Sequence, residues 1–451
     1  MKGRLPIIPL IYSPWLLSMS FSHNPILSFL TAWLGSFLIF YITIASPISP
    51  YSKKLKDYIM RPLVLQQLIF AGFMCCTSIF YFIEHIGDDL TSVAKCQRLS
   101  LLGHASLATG ILLSIKRRNA IQYIAAVTDI KLQLILCFSS LLISILLNYI
   151  PALLQFKYPL VVVSIISGAL LLTKGIKKGE ILLIISGSAV FFSTLTSILF
   201  TGFKEAILVQ FIILSFNTFP YYKKTTLFLA IPIIYLLLYV LPTYTSIIRL
   251  QSWGNGKSED IVVENASQTF FNEANDQLVL DNNWKFLTNR FSEIGMFVKY
   301  VDHVPDFQDY YGLEILQNSF SALIPRALWQ NKPITEKVAM NRVYDSGIAQ
   351  RSSVVSAKTR PVVDGYLIAG TCGVFALMFI YGILTQRICN KAEQWFGGYE
   401  TGCIIIFNGL FQQLWRGNTL EFLLNNIVYA FLLMKIIHWT LIATNLLKRA
   451  N

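Results

Sequence analysis

Uncharged apolar stretches about as long as a bilayer is thick recur along the whole chain. Residues 27–48 and 225–247 contain no Asp, Glu, Lys or Arg. A helix rises about 1.5 Å per residue, so about 20 such residues cross a hydrocarbon core of about 30 Å. Inside lipid every backbone polar group must be satisfied by the chain itself, which leaves helices and closed barrels. A barrel would show short alternating segments instead. Charged residues make up only 14% of the 451, against 54% hydrophobic; ordinary globular domains carry about 25% charged residues. The pattern predicts an all-α polytopic membrane protein of about 12 transmembrane helices (range about 10–13). The expected spans are 6–22, 26–48, 63–82, 98–114, 131–150, 158–174, 180–201, 205–220, 225–247, 362–386, 399–415 and 419–443. The run 207–219 is short for a full crossing and predicts a thin, tilted or re-entrant segment.

The net charge of +13 suggests nucleic acid only until its distribution is followed, and no nucleic-acid partner is expected. Alternate short turns carry Lys53, Lys54, Lys56 and Arg61; Lys116, Arg117 and Arg118; Lys174, Lys177 and Lys178; Lys223 and Lys224; and Arg387 and Lys391. Lys2 and Arg4 begin the chain, and Lys448 and Arg449 close it. The opposite turns hold only Lys95, Arg98, Lys157, Lys204 and Arg416, with Glu84, Asp88 and Asp89 among them. Positive charge in short loops marks the cytoplasmic side. Both termini are therefore expected in the cytoplasm, with one large loop outside. The organisation expected is a membrane region at 1–247 with about nine spans, the loop at 248–361, and a second membrane region at 362–451 with about three. The basic start predicts an uncleaved first span, since no small-x-small cleavage pattern follows it. The seven cysteines, at 75, 76, 96, 137, 372, 389 and 403, have no CxxC spacing, which gives no sign of a zinc site or a disulfide framework.

The loop begins polar and changes character near Trp284. TNRFSEIGMFVKYVDH places Phe291, Ile294, Phe297, Val298 and Val301 near helical spacing, which predicts an amphipathic helix over the bundle or on the membrane surface. EILQNSFSALIPRALWQ repeats the pattern. It runs into LIPRALWQNKP at 323–333, where Arg326 and Lys332 flank Trp329 between Pro325 and Pro333. Pro325 suits a helix start, and Pro333 pushes Lys332 to an extended conformation. Two readings stand side by side: an interfacial anchor of snorkelling cations around a Trp, and an anion clamp in which Arg offers a fork and Lys a point charge.

Other cations lie on the same side. They are Lys204 in TGFKEA, Arg360 in TRPVVDGYL and Arg416 in LWRGNTLE. Such charges are costly if they face lipid. Snorkelling explains any one of them; convergence of several would need a site. Acids on that side are Asp364, Glu421, Glu314 and Asp302. Each pairs structurally or serves as a base for a hydroxyl. His303 is the one His of the loop, and imidazole exchanges protons near neutral pH. His104, inside an apolar span, is expected to be buried and hydrogen-bonded.

Taken in order, these segments resemble the Wzy-type O-antigen and exopolysaccharide repeat-unit polymerases. IPRALWQNKP is similar to the family's IP-x-x-x-W-P-x-K/R-P segment, with Gln330 where proline is usual. VVDGYLIAGTCGV resembles the segment that follows it, with Asp364 as the acid. TGFKEA and LWRGNTLEF resemble the family's G-S/T-R/K and late R-G/E elements, with Lys204 and Arg416 as the cations. The resemblance implies a GT-C-like membrane glycosyltransferase working without metal or other cofactor. It would transfer a growing glycan from undecaprenyl pyrophosphate to the non-reducing end of another lipid-linked oligosaccharide repeat unit. A Wzz-like chain-length regulator, the pathway's flippase and membrane lipids are the implied partners. Arg326, Lys332, Arg416 and Lys204, then Arg360, are expected to contact pyrophosphate or glycan, and Arg326 and Arg416 to take part in catalysis. Asp364, then His303, is expected as the base. Trp329, Tyr310 and Tyr311 are expected to stack on sugars. The alternatives are an O-antigen ligase, whose His-Asn loop motif is not seen, and a lipid-linked oligosaccharide flippase or other transporter, which predicts repeats and broken helices.

Overall fold

The structure, a computed structural model, describes residues 7–46, 59–116, 121–200, 204–235, 276–325, 328–351 and 358–450. The first region runs α1 (Ile7–Ser20), α2 (Pro25–Phe40) with a π turn at Tyr41–Ala45, and α3 (Pro62–Ala71), which continues through Gly72–Cys76 into α4 (Ser78–Glu84). Then follow α5 (Thr91–Ser114), α6 (Asp129–Leu146), α7 (Lys157–Lys178), α8 (Ile181–Phe200), α9 (Lys204–Thr218) and α10 (Lys223–Tyr235). The loop supplies α11 (Asp276–Phe286), α12 (Ile294–His303), α13 (Glu314–Leu323) and α14 (Thr335–Asp345). The last region holds α15 (Pro361–Trp395), α16 (Tyr399–Phe407) and α17 (Leu420–Ala443).

Among the described residues six helices are long and apolar enough to cross a membrane: Pro25–Ala45, Pro62–Glu84, Asp129–Tyr149, Leu153–Lys178, Pro361–Trp395 and Leu420–Ala443. Each coincides with an expected span. Over their described residues the other expected spans are helical but shorter, more polar or interrupted. Ile7–Ser20, Ile181–Thr196 and Val209–Thr218 are short apolar helices. The expected span 399–415 is α16, a π turn at Asn408–Gln412 and a last turn at Gln413–Trp415. The expected span 225–247 begins in α10 and runs on outside the described residues.

α5 is a long helix more polar than these six, and its surroundings account for that. It is 24 residues long, and Gln97, Ser100, His104, Ser106 and Thr109 are all buried in it. A helix surrounded by other helices has no need of a lipid-soluble surface. Several of its polar side chains are satisfied locally or across the packing, although Ser100 Oγ and Gln97 Oε1 are buried without a hydrogen-bond partner. Ser106 and Thr109 donate to carbonyls four residues back, and His104 Nε2 lies 2.9 Å from Gln67 Oε1. The expectation of a buried, hydrogen-bonded His104 is met. Small residues let the neighbouring backbones approach closely. A Cβ on Gly110 would meet the Phe379 carbonyl of α15, and one on Gly382 would meet the Leu107 carbonyl of α5.

Side-chain pairing sorts the turns to two ends. At one end Arg61 bridges Glu393 at 3.2 Å, Lys174 bridges Glu400 at 2.9 Å, and Arg61 lies over the Tyr399 ring. There β1 (Tyr123–Ala125) also pairs antiparallel with β2 (Leu447–Arg449). The basic turns singled out in the sequence thus share an end with the chain's last residues. At the other end Trp284 donates to Glu84, Thr77 donates to the Phe291 carbonyl, and α12 packs on α5. The loop is therefore a folded layer on the bundle. α12 buries Ile294, Phe297, Val298 and Val301 of the expected stripe, and Tyr300 besides; Phe291 precedes the helix and is partly buried.

Gly110→Val is expected to separate α5 from α15. It should lower stability by roughly 1–3 kcal/mol, the usual range for overpacking a close contact, read as a lower thermal midpoint of the detergent-solubilised protein.

Candidate functional site

At the loop-side end one guanidinium joins three elements. Asp364 is in the first turn of α15 and Glu421 in the first turn of α17. Arg342 reaches them from α14. Its Nη1 donates to Glu421 Oε1 at 2.6 Å, and its Nη2 donates to Glu421 Oε2 at 3.0 Å and to Asp364 Oδ1 at 3.2 Å. All three side chains are buried. Asp364 Oδ1 also accepts from Thr359 Oγ1 at 2.7 Å. Its Oδ2 accepts from the backbone N–H of Leu420 at 2.7 Å, so the carboxylate of one span caps the next. Carboxylates suit these positions because a helix N-terminus carries partial positive charge. Burial lowers the proton affinity of the Arg342 guanidinium, but the two carboxylates more than reverse that, so it stays charged. Beside them, burial and then the Asp364 charge push the Tyr300 phenol above its ordinary range.

A second clamp lies next to the first. Arg360, the N-cap residue of α15, pairs through Nε and Nη2 with Glu293 of the loop. Its Nη1 donates to the carbonyls of Leu414 and Trp415, and Phe73 lies 4.8 Å under its plane. The turn that receives it contains Gly417 at φ +66°, where an added Cβ would stand 2.9 Å from the Arg360 Cζ. Arg416, half-buried, projects from this turn and lies 4.9 Å over the Tyr158 ring, whose hydroxyl accepts from Gln412 at 2.5 Å. Lys358 Nζ donates to Asn418 Oδ1 at 3.0 Å and lies 5.5 Å from the Phe422 ring.

The structure thus brings Arg360, Arg416, Asp364 and Glu421 together from the α15 start and the α16–α17 turn. The Asp364 carboxylate is enclosed by three donors, and all three Arg360 nitrogens bond within the protein. The other expected site residues that are described make different contacts. Lys332 donates to the carbonyls of Ala322 and Ile324, at 2.8 and 2.9 Å, closing the end of α13. Trp329 is exposed. His303 ends α12 with its ring 5.8 Å from that of Phe307. The backbone N–H of Tyr311 donates to the Leu367 carbonyl at 2.9 Å, and the Tyr310 ring stands edge-on to Tyr366. Both tyrosines dock where α15 breaks: Ala369 and Gly370 have non-helical backbone, and a Cβ on Gly370 would meet the Tyr310 hydroxyl. Arg326 lies outside the described residues. Lys204 opens α9, and its side chain is not among those described.

Arg342, Glu293, Thr359 and Lys358 were not singled out in the sequence. Arg342 left one trace: it sits beside Ala339, Met340 and Val343, the residues α14 buries. A cation on the apolar face of a short helix needs a buried counter-charge.

Arg342→Met leaves two buried carboxylates unpaired and is expected to cost about 3–5 kcal/mol, measured by chemical unfolding. Adding Asp364→Asn and Glu421→Gln removes both unpaired charges and should recover part of the loss.

No curated protein and no solved structure matches the chain. A family model described as a domain of unknown function, DUF8712, matches residues 13–449. That match spans nearly the whole sequence, and the chain belongs to the DUF8712 family.

Proposed function

We propose that this protein is a membrane glycosyltransferase that joins lipid-linked oligosaccharide units, a polymerase of the Wzy type. In this reading the chain crosses a bacterial inner membrane about twelve times, α5 and the shorter helices included, in a GT-C-like arrangement. The termini and basic turns lie in the cytoplasm, and the loop lies in the periplasm. The observation that supports it is the convergence of Lys358, Arg360 and Arg416 on one turn, residues 414–418, at the end of the bundle that carries the loop. A diphosphate held at the membrane boundary needs fixed cations at that depth.

The chemistry follows from those groups. The acceptor hydroxyl oxygen bonds to the anomeric carbon as the sugar–phosphate C–O bond breaks. The electron pair leaves with undecaprenyl pyrophosphate, and positioned cations offset its growing charge. Arg416 and Lys358 are the contacts assigned here, with Arg326, Lys332 and Lys204 as further candidates. Arg360, held by Glu293, fixes the turn that presents Arg416. Asp364 is enclosed and serves the loop clamp, so His303 takes the role of base for the hydroxyl proton. Tyr310, Tyr311 and Trp329 offer faces to sugars. The pathway's flippase and a chain-length regulator are the partners this reading requires.

The break at Ala369–Gly370 inside a long span favours a second reading, a transporter of lipid-linked oligosaccharide, since discontinuous helices mark substrate paths in such proteins. Deletion of the gene separates the two. A polymerase deletion leaves single repeat units on the surface acceptor, whereas loss of a transporter, or of a ligase, leaves none. Restoring Arg416→Ala with Lys358→Ala at normal protein level should lower long-chain product by about 10²-fold or more. Chains of normal length would rule the site out.

A further inference from the structure

We infer that residues 313–325 and 328–334 of the loop are embedded in the membrane leaflet on the loop side, with lipid acyl chains against their exposed apolar face. Depth comes first. The run 365–386 of α15 carries no charge between Asp364 and Arg387. At about 1.5 Å per residue it fills the hydrocarbon thickness by itself. Tyr311 hydrogen-bonds Leu367 inside that run, so the loop reaches below the Asp364 boundary immediately before α13 begins.

α17 gives the same depth independently. From Leu420 to Phe431 it has no exposed residue, whereas Leu432, Ile436 and Trp439 further along are exposed. The element packed most extensively along α17 is α13. α13 therefore occupies, beside the first half of a span, the position that lipid takes beside the second half.

The chemistry of the outward face agrees. α13 turns Ile315, Ser319 and Ala322 inward. Leu313, Phe320 and Ile324, seven and then four residues apart, share the opposite face and are exposed, as are Leu328 and Ile334 beyond it. The exposed Gln317 shares that face; large exposed apolar side chains grouped in this way mark a membrane or protein contact. Lys332 returns its ammonium to the carbonyls at the end of α13, so that charge is met by backbone, while Glu314 is exposed in the first turn of α13. Exposed charge resumes at Glu336 and Lys337, which mark the return to water. An interfacial helix with its apolar side in the acyl region is the arrangement this pattern fits.

The test places a nitroxide on single cysteines, Phe320→Cys, Leu328→Cys and Lys337→Cys, in the full-length Cys372→Ser protein reconstituted into phospholipid nanodiscs. Collision with oxygen, which partitions into lipid, is compared with collision with a water-soluble nickel chelate. Oxygen is expected to dominate several-fold at 320 and 328, and the chelate at 337. Chelate dominance at 320 and 328 would place the segment in water and overturn the inference. Exclusion of both reagents there would assign the face to a protein partner and overturn it equally. The readout is independent of catalytic activity, so it stands or falls apart from the polymerase reading.

Discussion

One guanidinium shared by two buried carboxylates ties the loop to the membrane bundle. Arg342 brings a single positive charge to Asp364 and Glu421, so the cluster keeps an excess negative charge. The excess is met by neutral donors: the Thr359 hydroxyl, the Leu420 N–H, and the aligned peptide dipoles at the starts of α15 and α17. A buried ion cluster of this kind adds little net stability compared with apolar packing, but it is very sensitive to the loss of one member. Its effect is therefore on geometry. It sets where α14 lies relative to the tips of two spans, and with it the turn that carries Arg416. The Arg360–Glu293 pair does the same from the opposite direction, with the cation on the span and the acid on the loop.

The interior of the bundle follows a different rule from its surface. α5 is largely surrounded by protein; Ser106 and Thr109 donate to carbonyls one turn back, His104 pairs with Gln67, and Gln97 donates to the Cys75 carbonyl. α15 is broken at Ala369–Gly370, which would be unfavourable against lipid but is tolerated where protein covers the freed groups. Tyr311 takes up the Leu367 carbonyl there. The same loop that the arginines hold from above thus completes the backbone hydrogen bonding of a span from within.

These arrangements give the functional proposal its shape. Cations from the end of the loop and from the α16–α17 turn surround one turn at the level of the two acids, and the loop beside it dips among the spans. A lipid-linked substrate would meet charge at the headgroup depth and apolar surface just below it, in the order its own chemistry presents them.

The sequence by itself determined that the chain is a bundle of membrane-crossing length, that its basic turns share one end, and that the late loop folds into amphipathic helices. Those properties follow from periodicity and from the cost of charge in lipid, which act locally. It also marked Arg360, Asp364 and Arg416 as boundary charges, because a charge beside a long apolar run stands out. Only the tertiary structure decided how they are used: Asp364 enclosed by Arg342, Arg360 held by Glu293, and Lys332 turned back on α13. The first two depend on a partner distant in sequence, as Arg342 is from Glu421, and spacing along a chain carries no information about which remote charge will be brought close. For the same reason composition alone did not account for α5, whose polar residues are permitted by the helices around it.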